Sequence, residues 1–137
     1  MRGLKHIRER TNQSVTQFAK QYSCHRNTVN YWESDKGNIP DWVVEAISEQ
    51  YHIQPEHITS ELTTLSKFII DLAFLGITNV VPPEGTSRSE ENAIAWMNDV
   101  KVEFCRGINK LNKRIQKQND EVLLDELKRQ VQSNQNN

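Results

Sequence analysis

An all-α fold is predicted, and three observations predict it. Apolar residues recur at steps of three and four, as in Val15, Phe18, Ala19 and Tyr22, which is the period of one helix face rather than of a strand. Residues that cap helices precede the periodic runs at Ser14, Asp41, Ser60 and Ser89, where a side-chain oxygen can accept an otherwise orphaned amide hydrogen. Breakers part the runs: Gly37, Asn38 and Pro40, then Gly76, then Pro82-Pro83. The 137 residues hold one ordinary domain or two very small ones. The expected organisation is a five-helix domain over residues 1–58 and a helical region over 59–137.

Taken in order, Leu4 and Ile7 mark a short first helix ending near Arg10 to Asn12. Ser14 caps a second over Val15 to Tyr22, and a turn follows at Ser23-Cys24. The third, His25 to Glu33, turns Val29 and Trp32 inward and leaves Arg26, Asn27, Asn30 and Tyr31 on an outward polar side. Asp41 caps a fourth through Tyr51 with Val43, Val44, Ile47 and Tyr51 buried, and Pro55 opens a short fifth near Glu56 to Ile58. Ser60 then caps a helix with the apolar stripe Leu62, Leu65, Phe68, Ile69, Leu72 and Leu75, which Gly76 stops. After the loop Thr78 to Arg88, Ser89 caps a long helix. Along it Ile94, Met97, Phe104, Ile108, Leu111 and Ile115 alternate three- and four-residue steps, interrupted by Lys101. Asn119-Asp120 is expected to restart that helix with Leu124, Leu127 and Val131 on one side, and the tail from Ser133 to Asn137 to fray.

The formal net charge of -1 conceals a segregation of charge. Residues 1–31 hold six basic residues against Glu9 alone, whereas residues 32–66 hold Lys36 against seven acidic ones. This polarity aims the first helices at phosphates, with an unevenly charged solvated surface as the plain alternative. A second basic stretch, Lys101 to Lys117, carries six cations against Glu103. It either adds phosphate contacts or pairs with the acidic run Asp120, Glu121, Asp125 and Glu126.

The run from Ser14 to Glu33 reads as two short helices joined by a tight turn, with Ala19 small where they approach. A helix about 10–12 Å across matches a major groove about 12 Å wide, so an outward polar face can reach base edges. Here the chain resembles the lambda-repressor/Cro-like (XRE-like) helix-turn-helix family. The resemblance covers Leu4 to Ile58 and rests on Leu4-Lys5-x-x-Arg8, Ser14-x-x-x-Phe18-Ala19, Thr28-Val29, Trp32-Glu33 and Lys36-x-x-x-Pro40. It implies a five-helix domain whose third helix reads DNA and a dimer on a palindromic operator. It places base readout on Arg26, Asn27 and Tyr31 with Asn30 as neighbour, and phosphate contacts on Ser14, Thr28 and Lys36.

The chain departs from the family pattern. Val15 stands where relatives often have Gln, Ser23 where they have Gly, and His25 where they have a Ser or Thr cap; the linker from Glu33 to Pro40 is longer. Ser23 therefore implies either strain or a differently shaped turn. Arg26 can pair with guanine O6 and N7 and Asn27 with adenine N6 and N7, whereas Tyr31 fits a thymine methyl or a phosphate. Each has a structural alternative: Arg26 a solvated helix charge, Asn27 a cap, Tyr31 an edge of the core. Trp32 is assigned to the core by its spacing from Val29.

Other chemistry finds no support in the residues. His6, His25, His52 and His57 lack metal spacing with a third ligand, and no phosphate loop, nucleophile elbow or carboxylate pair is visible, so neither metal, cofactor nor catalysis is expected. Cys24 and Cys105 are read as reduced thiols, with Cys24 beside Arg26 as a minor redox candidate. No apolar run suits a membrane helix and no signal peptide opens the chain, so a cytoplasmic protein is expected. The apolar stripes of residues 60–131 predict a homodimer or higher homo-oligomer, with a monomeric hairpin as the alternative. The functional expectation is a transcriptional regulator of bacterial or phage type, a repressor bound to double-stranded DNA. The alternative is a scaffold that serves as a protein-interaction adaptor, for example an antitoxin-like partner of a toxin or of a polymerase subunit.

Overall fold

A computed structural model describes residues 1–78 and 80–135. Among them the chain forms α1 (Gly3–Arg10), α2 (Val15–Gln21), α3 (Arg26–Glu33), α4 (Asp41–Tyr51), α5 (Pro55–Thr59), α6 (Thr64–Phe74) and α7 (Glu90–Gln135), and no strand. The all-α prediction is met. The contacts divide the chain into one compact unit, Met1–Met97, and a second from Asn98 onward.

Local chemistry sets the helix ends. Ser14 accepts from the Gln17 amide at 3.1 Å while the Gln17 side chain accepts from the Ser14 amide at 2.8 Å, a reciprocal capping box that starts α2. α2 ends with Ser23 at φ 54°; the Cys24 amide donates to Ala19 O at 3.0 Å and the Ser23 amide to Lys20 O at 3.2 Å. That is a Schellman ending with serine in the left-handed position glycine usually fills, so the strain implied by Ser23 is present. Gly76, at φ 82°, closes α6 in the same way, with Ile77 N donating to Leu72 O at 2.9 Å.

Three expected starts are corrected or confirmed by geometry. Pro40, not Asp41, is the N-cap of α4, and Asp41 begins the helix as a first-turn acid without a capping bond, where the dipole still favours it. Ser60 ends α5 rather than starting α6. The Leu62 amide donates to Met1 O at 2.7 Å, which keeps Leu62 outside the helix. The capping box that starts α6 belongs to Thr63 and Ser66. Ser89 does cap α7, accepting from the Asn92 amide at 3.1 Å.

The core of the first unit is drawn from every helix up to α6: Leu4 and Ile7, Phe18, Val29, Val43 and Ile47, Ile58, and Ile70 are all essentially inaccessible. Each such side chain contributes roughly 1.5–3 kcal/mol relative to exposure. Ile70 decides the boundary. Because α6 fills the same core as α1, the compact unit continues past the boundary expected between residues 58 and 59. Two further links tie α6 to α1: His6 Nε2 lies 2.7 Å from Asp71 Oδ1 and Arg10 Nε 3.3 Å from the same oxygen. The start of α7 packs on α6 through Trp96 and Phe68, whose rings meet edge-on at 5.9 Å. α1 and α5 approach so closely at Gly3 that a Cβ there would lie 1.7 Å from the His57 carbonyl oxygen, which explains a glycine inside a helix.

From Asn98 the second unit is helix alone. α7 runs unbroken to Gln135, so no restart is seen at Asn119-Asp120; of the tail expected to fray, residues 133–135 are helical and residues 136 and 137 lie outside the described residues. Asn119 and Asp120 are exposed and tolerated in a solvated helix interior at a small propensity cost. The whole apolar row stands in solvent: Phe104 is 46%, Leu111 55% and Leu127 50% exposed.

Candidate nucleic-acid interface

α3 is eight residues long and its two sides differ in chemistry. At about 100° per residue, Arg26, Asn30, Asn27 and Tyr31 fall within an arc of roughly 140°, and Val29, Trp32 and Glu33 within the opposite arc. Burial follows that division: the first four are exposed, the last three buried, and Thr28 between them is half-buried. Among the described residues the side chains of Arg26, Asn27 and Asn30 make no hydrogen bond or ion pair within the chain. They present free donors and acceptors, the inventory that direct readout of base edges requires.

Several contacts fix the helix beneath that face. His25 is the N-cap, its Nδ1 accepting from the Asn27 amide at 3.1 Å, so histidine takes the capping role and Asn27 keeps its side chain free. Val29 and Trp32 anchor the inner side, 0% and 5% exposed. Glu33 receives two hydrogen bonds from Arg8 of α1, from Nε to Oε1 and from Nη2 to Oε2, and Arg8 Nη1 also donates to Gln13 O at 3.0 Å. Arg2 Nη1 donates to the carbonyls of Trp32 and Gly37. α3 is thereby clamped at its C-terminal end by two arginines.

Tyr31 is not an edge of the core. The residue is 54% exposed and its ring lies over Gly37, where a Cβ would come within 2.3 Å of ring carbon Cε1. Gly37 thus sets where the phenol sits, a role invisible from the sequence, in which glycine reads only as a breaker. Ser14 and Lys36 are both exposed; the Ser14 oxygen is already an acceptor in its capping box, leaving its hydroxyl hydrogen for another partner. Trp42, 57% exposed at the start of α4 and 6.1 Å from the Tyr22 ring, is a surface aromatic that the periodicity argument passed over. Its signal was its place outside the Val43, Val44, Ile47 stripe.

The electrostatics differ from the simple count. Of the six cations in residues 1–31, Arg8 is spent on Glu33, Arg10 on Asp71, and Arg2 on backbone carbonyls. Lys5, Lys20 and Arg26 make no ion pair among the described residues. Two of the six cations are thus neutralised within the fold, and a third, Arg2, is held in place with its charge intact. Cys24 also differs from expectation: burial pushes its thiol above the ordinary value, which opposes the activated thiolate that redox sensing needs.

Among the described residues no group of three or more His, Cys, Asp or Glu side chains is placed to hold a metal ion, and no helix is long and apolar enough to cross a membrane. No known family model, curated protein or solved structure matches the chain.

Proposed function

We propose that the protein is a sequence-specific DNA-binding regulator of the repressor type, in which α2, the Ser23 turn and α3 form a helix-turn-helix and α3 lies in the major groove. The observation that carries this reading is the division of α3. Its inner side is locked by Val29, Trp32 and the Arg8–Glu33 pair, while Arg26, Asn27, Asn30 and Tyr31 stand exposed on one arc. Arg26 and Asn27 read bases, Tyr31 and Asn30 extend the contact, and Ser14, Thr28 and Lys36 meet phosphates. The likeness to the XRE-like family over Leu4 to Ile58 supports the same assignment.

The regulator acts as a dimer by occupying a palindromic operator. One helix-turn-helix reads only a few base pairs, and a dimer doubles the contacts and fixes the spacing of the half-sites. The exposed apolar row of α7 supplies the surface for it, because a lone solvated helix gains nothing from Phe104, Ile108, Leu111 and Ile115 in water.

Fluorescence anisotropy with a labelled duplex across a salt series tests the reading. A phosphate-contacting binder loses affinity steeply, with a slope of roughly −0.9 per contacted phosphate in a log–log plot. Absence of duplex binding even at low salt contradicts it and favours the adaptor, in which the same α7 row seats a protein partner.

A further inference from the structure

We propose that α7 carries a second DNA-contacting surface: the basic face formed by Arg106, Lys110, Lys113, Arg114 and Lys117 lies against the phosphodiester backbone of duplex DNA. The proposal rests on the reading of the chain as a duplex binder, but not on which bases α3 reads.

Five observations converge on this face. No Asp or Glu occurs between Glu103 and Asp120, and every side chain from Lys101 to Ser133 is exposed. None of the five cations makes an ion pair or hydrogen bond among the described residues. At about 100° per residue, the five fall within an arc of roughly 100°. The apolar row Phe104, Ile108, Leu111 and Ile115 lies roughly 145° round the helix on the same reckoning. Pairing that row therefore leaves the cations in solvent.

The arrangement works against the helix that bears it. Arg106 and Lys110, Lys110 and Arg114, and Lys113 and Lys117 are like charges four residues apart; Lys110 and Lys113, and Arg114 and Lys117, are three apart. Such neighbours disfavour a helix; Glu103 before Arg106 and Asp120 and Glu121 after Lys117 flank the face, but no acidic residue lies three or four residues from Lys110, Lys113 or Arg114 to relieve them. A polyanion does. From Arg106 to Lys117 the face runs roughly 16 Å at 1.5 Å per residue, and one DNA strand offers a phosphate every 3.4 Å or so, about five over that length. Because a strand winds once round the axis in about 10 base pairs, a straight helix faces only part of such a run at a time, and the five cations share the phosphates within reach.

The first unit gives the surface a purpose. With Arg2, Arg8 and Arg10 committed internally, few cations remain near α3 for the salt-dependent attraction that dominates non-specific affinity. A lipid surface fits the geometry less well. An interfacial helix also sets cations opposite an apolar face, but lying on a membrane would take up the row Phe104, Ile108, Leu111 and Ile115 that the dimer pairs, whereas a duplex leaves that row free.

The test replaces the face in the full chain: Arg106→Gln, Lys110→Gln, Lys113→Gln, Arg114→Gln and Lys117→Gln together. Glutamine has a helix propensity close to that of lysine and arginine, and circular dichroism checks that α7 persists. Binding to a labelled duplex of arbitrary sequence is followed against salt, beside the double variant Arg26→Ala, Asn27→Ala. The proposal predicts that the log–log salt slope of the glutamine variant flattens by at least one unit and at most about four, while the alanine variant keeps a steep slope. An unchanged slope overturns the proposal and leaves the α3 reading standing if sequence preference survives. A flattened slope with no sequence preference in the parent chain upholds the proposal and removes the α3 reading. Loss of binding to phosphatidylserine vesicles with the duplex slope unaltered overturns it in favour of a membrane.

Discussion

Glu33→Ala is expected to destabilise the first unit by about 3–5 kcal/mol, the usual cost of removing one partner from a buried ion pair. The Arg8 and Glu33 side chains are only 10% and 7% exposed, and Arg8 donates to both carboxylate oxygens. Without Glu33 the guanidinium retains one hydrogen bond among the described residues, to Gln13 O, and stays buried. The loss is mainly the penalty of that stranded charge rather than the net worth of the pair. A double replacement by apolar residues, Arg8→Met with Glu33→Leu, is accordingly expected to recover much of it. Denaturant unfolding followed by tryptophan fluorescence reports on this unit alone, because Trp32, Trp42 and Trp96 all lie within Met1–Met97. A loss below about 1 kcal/mol, typical of a solvated surface pair, would show that the clamp does not hold α3.

Replacing Arg26 and Asn27 by alanine is expected to erase sequence preference while leaving the fold intact. Each bidentate contact to a base discriminates by roughly 1–3 kcal/mol, and about 1.4 kcal/mol is tenfold. The pair together therefore separates specific from non-specific duplexes by roughly thirtyfold to ten-thousandfold. Both side chains are exposed and outside the hydrogen-bond network, so unfolding curves are expected to superpose on those of the parent. Competition between a selected duplex and arbitrary DNA in a mobility-shift assay reads the effect. Undiminished preference in the double variant removes these two residues from the readout.

The α1 to α5 region was legible because each element is announced locally. Ser14, the Val29 to Trp32 spacing, Pro55 at the first position of α5 and the serine standing for glycine at position 23 all act within one or two turns of themselves. What was not legible depends on distant partners. Ser60, Thr63 and Thr64 are all competent caps, and only the bond from Leu62 to Met1 O settles which begins α6. That the core runs on past residue 58 was not legible, because Ile70 and Asp71 find α1 across some sixty residues of sequence. Cationic residues could be counted but not apportioned: the counts do not reveal that Arg8 faces Glu33 or that Arg10 faces Asp71. Of the proposed interface, the exposed arc of α3 followed from periodicity, whereas Gly37 beneath Tyr31 and the exposed Trp42 did not.

The most direct measurement is amide and side-chain chemical-shift mapping of the full chain with a duplex selected from a random pool. The account predicts that shifts centre on Arg26 to Tyr31, with intermolecular Overhauser contacts from the Arg26 and Asn27 side chains to base protons in the major groove. A selected duplex that shifts other surfaces and leaves the outer arc of α3 unperturbed contradicts it.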